Sequence, residues 1–509
     1  MKKSILKATI LVFVLSLVAK IFGFLKSILQ ASYFGATEYT DAFNIANGFV
    51  ENILFMLMTA ISVAFVPLYI RKKQENTQKR FATITITLTA VATVVFSVIL
   101  LLLAPFIVKI LAPTYSLEQQ AITVSFFRIL VSGMVFALTA NMYASLLNAE
   151  KIYGFSALGS VINSVALIVF IVLFADSIGV WVLVFAVPVS FLIQWIVLNI
   201  RGRKFASISF KYGIYDRHVK ELLLQAFPIL LSQATVEINQ MIDRTLLSSL
   251  GEGIVTAVSY SAVLFQFIVT LVGAPLSTVL FTELSEAGAE QNVERIGNTL
   301  KKSYRIILLL CIPIAVVILF GSIDIVRIVY GHGKFIPTAI TNCSIGLLMY
   351  GLCLLPVCIK KALTRAYYAQ NNTRRPMLFG VLEVALNISL SIWWVRIWGI
   401  YGVVGATAVS SFIFVVLMLL DYNMKYSNVL SWTELKTYWR IIAGTIVTII
   451  GMKAFCVLSI KSSLISFVCK SVISFVLFFL ILLITKEPLI WSWLASMKSV
   501  KRKIAKSNE

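Results

Sequence analysis

Residues 71–111 read RKKQENTQKRFATITITLTAVATVVFSVILLLLAPFIVKIL. A short polar connection carries Arg71, Lys72, Lys73, Lys79 and Arg80, and from Phe81 onward the only charge is Lys109. The apolar run is longer than the ~20 residues an α-helix needs to cross a bilayer core. This stretch therefore predicts a basic turn on the cytoplasmic side followed by a membrane-spanning helix. Working outward, thirteen further apolar stretches follow the same grammar. The predicted spans are 8–34, 42–70, 81–111, 121–148, 154–175, 178–199, 221–250, 256–284, 304–330, 340–367, 377–397, 400–422, 436–459 and 463–485.

The totals agree with that reading. Of 509 residues, 59% are hydrophobic and only 13% charged, against ~25% charged in an ordinary soluble domain. The net charge of +22 is unevenly placed. One set of connections holds Lys2, Lys3 and Lys7, the 71–80 turn, Lys151, and Arg201 to Lys220. It continues through Arg295 to Arg305, Arg365 to Arg375, Lys425, Lys436 and the tail from Lys486 to Lys506. The alternate connections hold Lys334, Arg396 and Lys461. Basic residues flank the cytoplasmic ends of spans, so both termini are expected in the cytoplasm. The basic tail is expected to rest near anionic lipid headgroups, and no nucleic-acid partner is expected. The N-terminal apolar run is too long for a signal peptide and has no small-residue cleavage site, which makes it a retained first span.

The fold class expected is an all-α polytopic membrane protein with fourteen transmembrane helices. A weak internal repeat divides it. Ser62–Pro67 echoes Ser277–Thr282, Phe34-Gly35-Ala36 echoes Leu250-Gly251-Glu252, and Val161–Val165 echoes Ala385–Ser389. The offset amounts to six spans, so the halves share one orientation about an axis along the membrane normal. The expected organisation is an N-lobe at 1–220, a C-lobe at 221–422, spans 13 and 14 at 423–485, and a basic tail at 486–509. All connections are too short to fold as catalytic domains.

Function must then rest on polar groups kept inside the bilayer, where each ionisable residue costs roughly 2.5–3.5 kcal/mol at a helix centre. Span 1 carries Lys20 and Lys26, about 120° apart around the helix. They are either cations facing a cavity and holding an anionic headgroup, or snorkelling or ion-paired side chains. Span 2 opens with Asp41, a candidate ligand or a helix-dipole residue. It continues with Asn44, Asn47 and Glu51 on one face, and Asn52 beside them. Span 7 places Gln233, Glu237, Gln240 and Arg244 on one face, and Asp243 is either functional or paired structurally with Arg244. Glu383 and Asn387 follow in span 11. Lys360, Lys361 and Arg365 read as orientation signals near the boundary. The six cysteines read as buried small hydrophobes, and two distant histidines argue against a histidine metal site. No G-x-x-x-x-G-K-[ST] motif and no nucleophile–base pair is present, which favours a gradient-driven transporter over an enzyme.

The segment Ala19–Lys26, AKIFGFLK, resembles the S-R-x-x-G-F-x-R motif of the first helix in the murein precursor (lipid II) flippases, the MurJ/MviN family. Tyr33-Phe34-Gly35-Ala36 and Asp41-Ala42-Phe43 resemble its Y-F-G-A…D-A-F signature. Ala64–Pro67, Asp243-Arg244 with Glu252-Gly253 and Tyr260, and Ala366–Ala369 with Thr373–Pro376 are similar to later motifs of the same family. The resemblance runs through spans 1–12 and places the chain in the multidrug/oligosaccharidyl-lipid/polysaccharide exporter superfamily. It implies two six-helix lobes, a cationic cavity, alternating access, and a groove near spans 13 and 14 for a lipid tail. The implied activity is flipping of an undecaprenyl-pyrophosphate-linked cell-wall precursor across the bacterial cytoplasmic membrane, by a monomer coupled to sodium ions or protons. The rival cargoes are another lipid-linked oligosaccharide for capsule, teichoic acid or spore wall, or a drug exported with a cation. The substrate-binding residues implied are Lys20, Lys26, Asp41, Glu51, Asn52, Glu237 and Arg244. Asp243, Asn387 and Thr407 match part of a sodium site found in some members. The chain departs from the family pattern at span 1, where lysines replace arginines and lose the bidentate fork. It departs again at Glu51/Asn52 and at Val263, where further arginines are expected, and at Ser391, where an acid is expected.

Overall fold

The computed structural model describes residues 2–212, 217–426, 429, 437–458 and 460–493, with the side chains of 2–13, 217–218, 274–282 and 285 left undescribed. The region is all-helical. The helices are α1 (Lys2–Phe34), α2 (Glu38–Gln74), α3 (Gln78–Leu111), α4 (Leu117–Ser132) and α5 (Met134–Ala149). They continue with α6 (Tyr153–Ile178), α7 (Trp181–Gly202), α8 (Arg217–Ser248), α9 (Ile254–Ala289) and α10 (Val293–Tyr330). The last five are α11 (Pro337–Ala369), α12 (Arg374–Trp398), α13 (Ile400–Lys425), α14 (Trp439–Phe455) and α15 (Ser463–Ile484). The basic tail at 498–506 lies outside the described residues.

Among the described residues there are fifteen helices, the fourth expected span breaking at Gly133 into α4 and α5. The cause is tertiary. A Cβ at Gly133 would sit 2.8 Å from the Cα of Pro188 in α7, so two backbones meet where only glycine fits. Twelve spans among the described residues have the length and apolarity to cross a bilayer. The two other span helices are α8, diluted by its polar face, and α14, which has 17 residues. Helix α10 starts at Val293, earlier than the expected 304, because 293–303 is a polar, amphipathic extension that hydropathy alone does not register as span.

By packing, the chain forms two compact units. The first comprises 1–263 and 330–339, the second 264–329 and 340–509. This partition differs from the repeat-based lobes 1–220 and 221–422, because α8 and the start of α9 pack with the N-terminal helices.

The first unit has two cores. One gathers Phe43, Val50 and Leu54 of α2 with Phe126, Phe127 and Leu130 of α4 and Val184 and Val187 of α7. The other joins Phe65 and Tyr69 of α2, Phe81 of α3 and Tyr143 and Leu146 of α5. Phe65 stacks on Phe81 at 5.6 Å between centroids. Gly202 lets α7 close onto Tyr143, whose Cδ1 would be 2.4 Å from an added Cβ. In the second unit, Leu309, Ile312 and Val316 of α10 pack on Ile441 and Met452 of α14 and Phe478 and Leu482 of α15. Four cysteines are buried as expected. Cys456 is exposed and Cys469 half-exposed, the former because it lies just past the end of α14.

Candidate functional site

Two arrangements in the first unit concentrate its intramembrane polar groups. The first lies at the end of α2 opposite the basic 71–80 turn. Helix α2 begins with a capping box: Thr40 Oγ1 accepts from the Thr37 amide at 2.8 Å, and the Thr40 amide donates back to Thr37 Oγ1. This orientation points Asp41 away from its own helix. Its carboxylate accepts from the Gly253 amide at 2.7 Å, the Thr256 amide at 2.8 Å and Thr256 Oγ1 at 2.6 Å. Those donors are the open N-terminus of α9, where a negative charge is favoured by unpaired amides and the helix dipole. Glu252, at the start of α9, answers by accepting from the Glu38 amide at the start of α2 at 3.3 Å. Each helix thus receives a carboxylate cap from the other.

Backbone close approaches surround this clasp. Gly253 (φ +75°) leaves room for the Ala36 carbonyl, which would be 2.6 Å from a Cβ there. The Lys334 amide donates to the Ser32 carbonyl at 2.8 Å. Asn44 donates to Thr256 Oγ1 at 3.0 Å. Asp41 is 1% exposed. It is a buried carboxyl met by three donors, and it stands apart from the cavity described next.

The second arrangement is a cavity of about 440 Å³ lined by Glu51, Asn52, Leu54, Phe55 and Met58 of α2, Phe191 of α7, and Glu237, Gln240 and Arg244 of α8. The spacing i, i+3, i+7 puts Glu237, Gln240 and Arg244 on one helical face, and α2 presents Glu51 and Asn52 to it. Asn52 Nδ2 donates to the Glu237 carbonyl at 3.3 Å, and Gln240 donates to Glu237 Oε2 at 3.4 Å. Glu237 is 5% exposed. The Arg244 guanidinium lies against Gly48: a Cβ there would be 1.8 Å from Nη1. A glycine one turn before Glu51 is what admits the guanidinium between the helices. Nothing in the residues around Gly48 points to that role.

Four residues expected to bind substrate, Glu51, Asn52, Glu237 and Arg244, are therefore brought together. Asp41 is not with them. Lys20 is exposed and Lys26 half-buried on α1; neither lines this cavity, and neither forms an ion pair among the described residues. In this cavity two carboxylates, Glu51 and Glu237, face one guanidinium, Arg244.

The residues matched to a sodium site divide. Asp243 belongs to the first unit, Asn387 and Thr407 to the second. Asn387 Nδ2 donates to Thr407 Oγ1 at 3.0 Å, and Ser391 Oγ, where an acid was expected, donates to Asn387 Oδ1 at 3.5 Å. The Asn387 carboxamide is thus bonded at both ends to neutral partners. Among the described residues no group of three or more His, Cys, Asp or Glu side chains is placed to hold a metal.

The second unit also carries ion pairs that sequence reading missed. Lys360 of α11 pairs with Glu383 of α12, whose other oxygen accepts from Ser411 at 2.8 Å. Asp324 of α10 accepts from Lys470 and Ser466 of α15 at 2.6 and 2.8 Å. Span spacing cannot register pairs between helices this far apart in the chain.

Comparison with known proteins fits the fold. Residues 30–478 match the family model described as "Lipid II flippase MurJ". A protein of Rickettsia prowazekii called "Probable lipid II flippase MurJ" is 25% identical over 401 residues, covering 76% of this chain and 78% of that one. The "Lipid II flippase MurJ" of Burkholderia cenocepacia is 28% identical over 386 residues, covering 72% and 74%. Among solved structures, "Lipid II flippase MurJ, inward closed conformation" superposes with a TM-score of 0.82 at 21% identity, covering 94% of this chain and all of that one. An inward-facing multidrug resistance MATE transporter of the MOP superfamily gives 0.68 at 13% identity, covering 82% and 97%.

Proposed function

The chain belongs to the lipid II flippase MurJ family, and from that premise we propose that it flips lipid II, or a closely related undecaprenyl-pyrophosphate-linked precursor, across the bacterial cytoplasmic membrane. It works there as a monomer with both termini in the cytoplasm. The observation that carries this reading, beyond the family match, is the polar cavity between α2 and α8. A sugar–pyrophosphate head cannot cross hydrocarbon without losing its hydration, so it needs such a shelter, while its tail stays in lipid.

Transport is alternating access. The lobes 1–220 and 221–422 rock about the cargo, and the Asp41 clasp is the contact that parts when the cargo leaves on the outer side. Lys20 and Lys26 meet the phosphates as point charges. A sodium ion or proton moving down its gradient drives the cycle, and the protein breaks no bond of the cargo. Glu51 and Asn52, standing where the family pattern has arginine, favour one second reading, a lipid-linked oligosaccharide other than lipid II.

The test is depletion of the protein in cells, followed by chemical identification of the lipid-linked precursor that accumulates on the cytoplasmic side. Accumulated lipid II supports the first reading. Accumulation of a different lipid-linked sugar supports the second, and accumulation of neither ends both.

A further inference from the structure

The cavity between α2, α7 and α8 has an unbalanced charge. Glu51 and Glu237 bring two carboxylates, Arg244 one guanidinium, and Asn52 and Gln240 are neutral. Arg244 shares a helical face with Glu237 and lines the same cavity. Glu51 is exposed into this space and forms no ion pair among the described residues. Once cargo fills the cavity and displaces its water, a carboxylate left without a counter-charge is costly, and the cheapest complement is a cation delivered by the ligand.

Size and lining decide which cation. About 440 Å³ is far more than a bare metal ion fills. Phe55 (57% exposed), Phe191 and Met58 form an apolar wall beside the acids. A metal ion gains little from such a wall. An alkylammonium gains twice, from an aromatic face that attracts its charge and from burial of its methylenes. Its N–H groups match carboxylate acceptors on both sides of the cavity, Glu51 on α2 and Glu237 on α8.

We propose that the Glu51–Glu237 cavity receives a protonated primary amine carried by the polar head of the cargo. The inference rests on the proposed flippase function and adds to it a feature of the headgroup: an amino-bearing side chain in addition to the phosphates. The phosphates are then left to cations outside this cavity, such as Lys20 and Lys26.

The experiment uses the full-length protein in detergent and in proteoliposomes. The probes are lipid II with lysine in its stem peptide and the same lipid acetylated on the lysine ε-amine. Acetylation removes the charge with no change to the protein, so folding cannot confuse the result. A charge-assisted hydrogen bond to a carboxylate is worth ~1.5–3 kcal/mol, so the acetylated lipid should bind the wild-type chain about ten- to a hundredfold more weakly. Glu51→Gln should bind both lipids alike, at the weaker level. Equal binding and flipping of both lipids by the wild type overturns the amine site and leaves the flippase reading standing. Binding of neither lipid overturns the flippase reading, and the amine site falls with it.

Discussion

Asp41→Asn tests whether the clasp between α2 and α9 governs access. The wild-type carboxylate accepts three hydrogen bonds, from Gly253 N, Thr256 N and Thr256 Oγ1 at 2.6–2.8 Å. Asparagine is nearly isosteric but keeps one acceptor oxygen and no charge. The loss is one or two charge-assisted bonds, ~1.5–3 kcal/mol each, together with the favourable placement of charge at a helix N-terminus, ~0.3–1 kcal/mol. Part of this is returned because a neutral side chain costs less to bury. A net bias of about 2–3 kcal/mol against the clasped state follows, equivalent to roughly thirty- to a hundredfold in the clasped-to-open ratio.

The assay places cysteines at Tyr39 and Ile254 on the two sides of the clasp, in a chain whose exposed Cys456 is replaced by serine. Disulfide formation is then followed in membranes. The wild-type pair should cross-link rapidly, stop transport, and recover on reduction. The shift itself is read from the open side: a thiol reagent should modify the two cysteines of Asp41→Asn roughly thirty- to a hundredfold faster than those of wild type, because the open fraction scales with the ratio, while a control pair within α12 and α13 is unaffected. Modification of Asp41→Asn within twofold of wild type would refute the argument that these bonds hold the helix ends together. Undiminished transport with the wild-type link complete would refute alternating access through this contact.

Other consequences can be checked singly. Gly48→Ala drives a methyl into the space of the Arg244 guanidinium; alanine suits a helix better than glycine by ~0.5–1 kcal/mol, so thermal stability should hold while transport falls about tenfold or more. Replacing Lys20 or Lys26 with Gln should abolish transport at unchanged protein level while Arg is tolerated, and equal activity of Gln and Lys would remove phosphate binding from α1. Single cysteines at 71–80, 201–212 and 285–303 should resist a membrane-impermeant thiol reagent added outside intact cells, and labelling at any of them would reverse the topology.

The sequence alone determined the class and the spans, and set the orientation to be expected of them, because bilayer insertion is a local property. A run of about 20 apolar residues spans wherever it occurs, and the lysines and arginines around it are counted connection by connection. It also found the polar stripe of Glu237, Gln240 and Arg244, since helical spacing puts them on one face without reference to any neighbour. What it could not decide was which stripes meet. The partner of Asp41 lies more than 200 residues away in the backbone of another helix, and backbone amides look the same at every position. Nothing near Gly48 announces Arg244, nothing near Gly133 announces Pro188, and Lys360 and Glu383 pair only because α11 and α12 are packed side by side. The tertiary structure also decided which charges share one space: the packing of α2 on α8 brings two carboxylates and a guanidinium to one cavity.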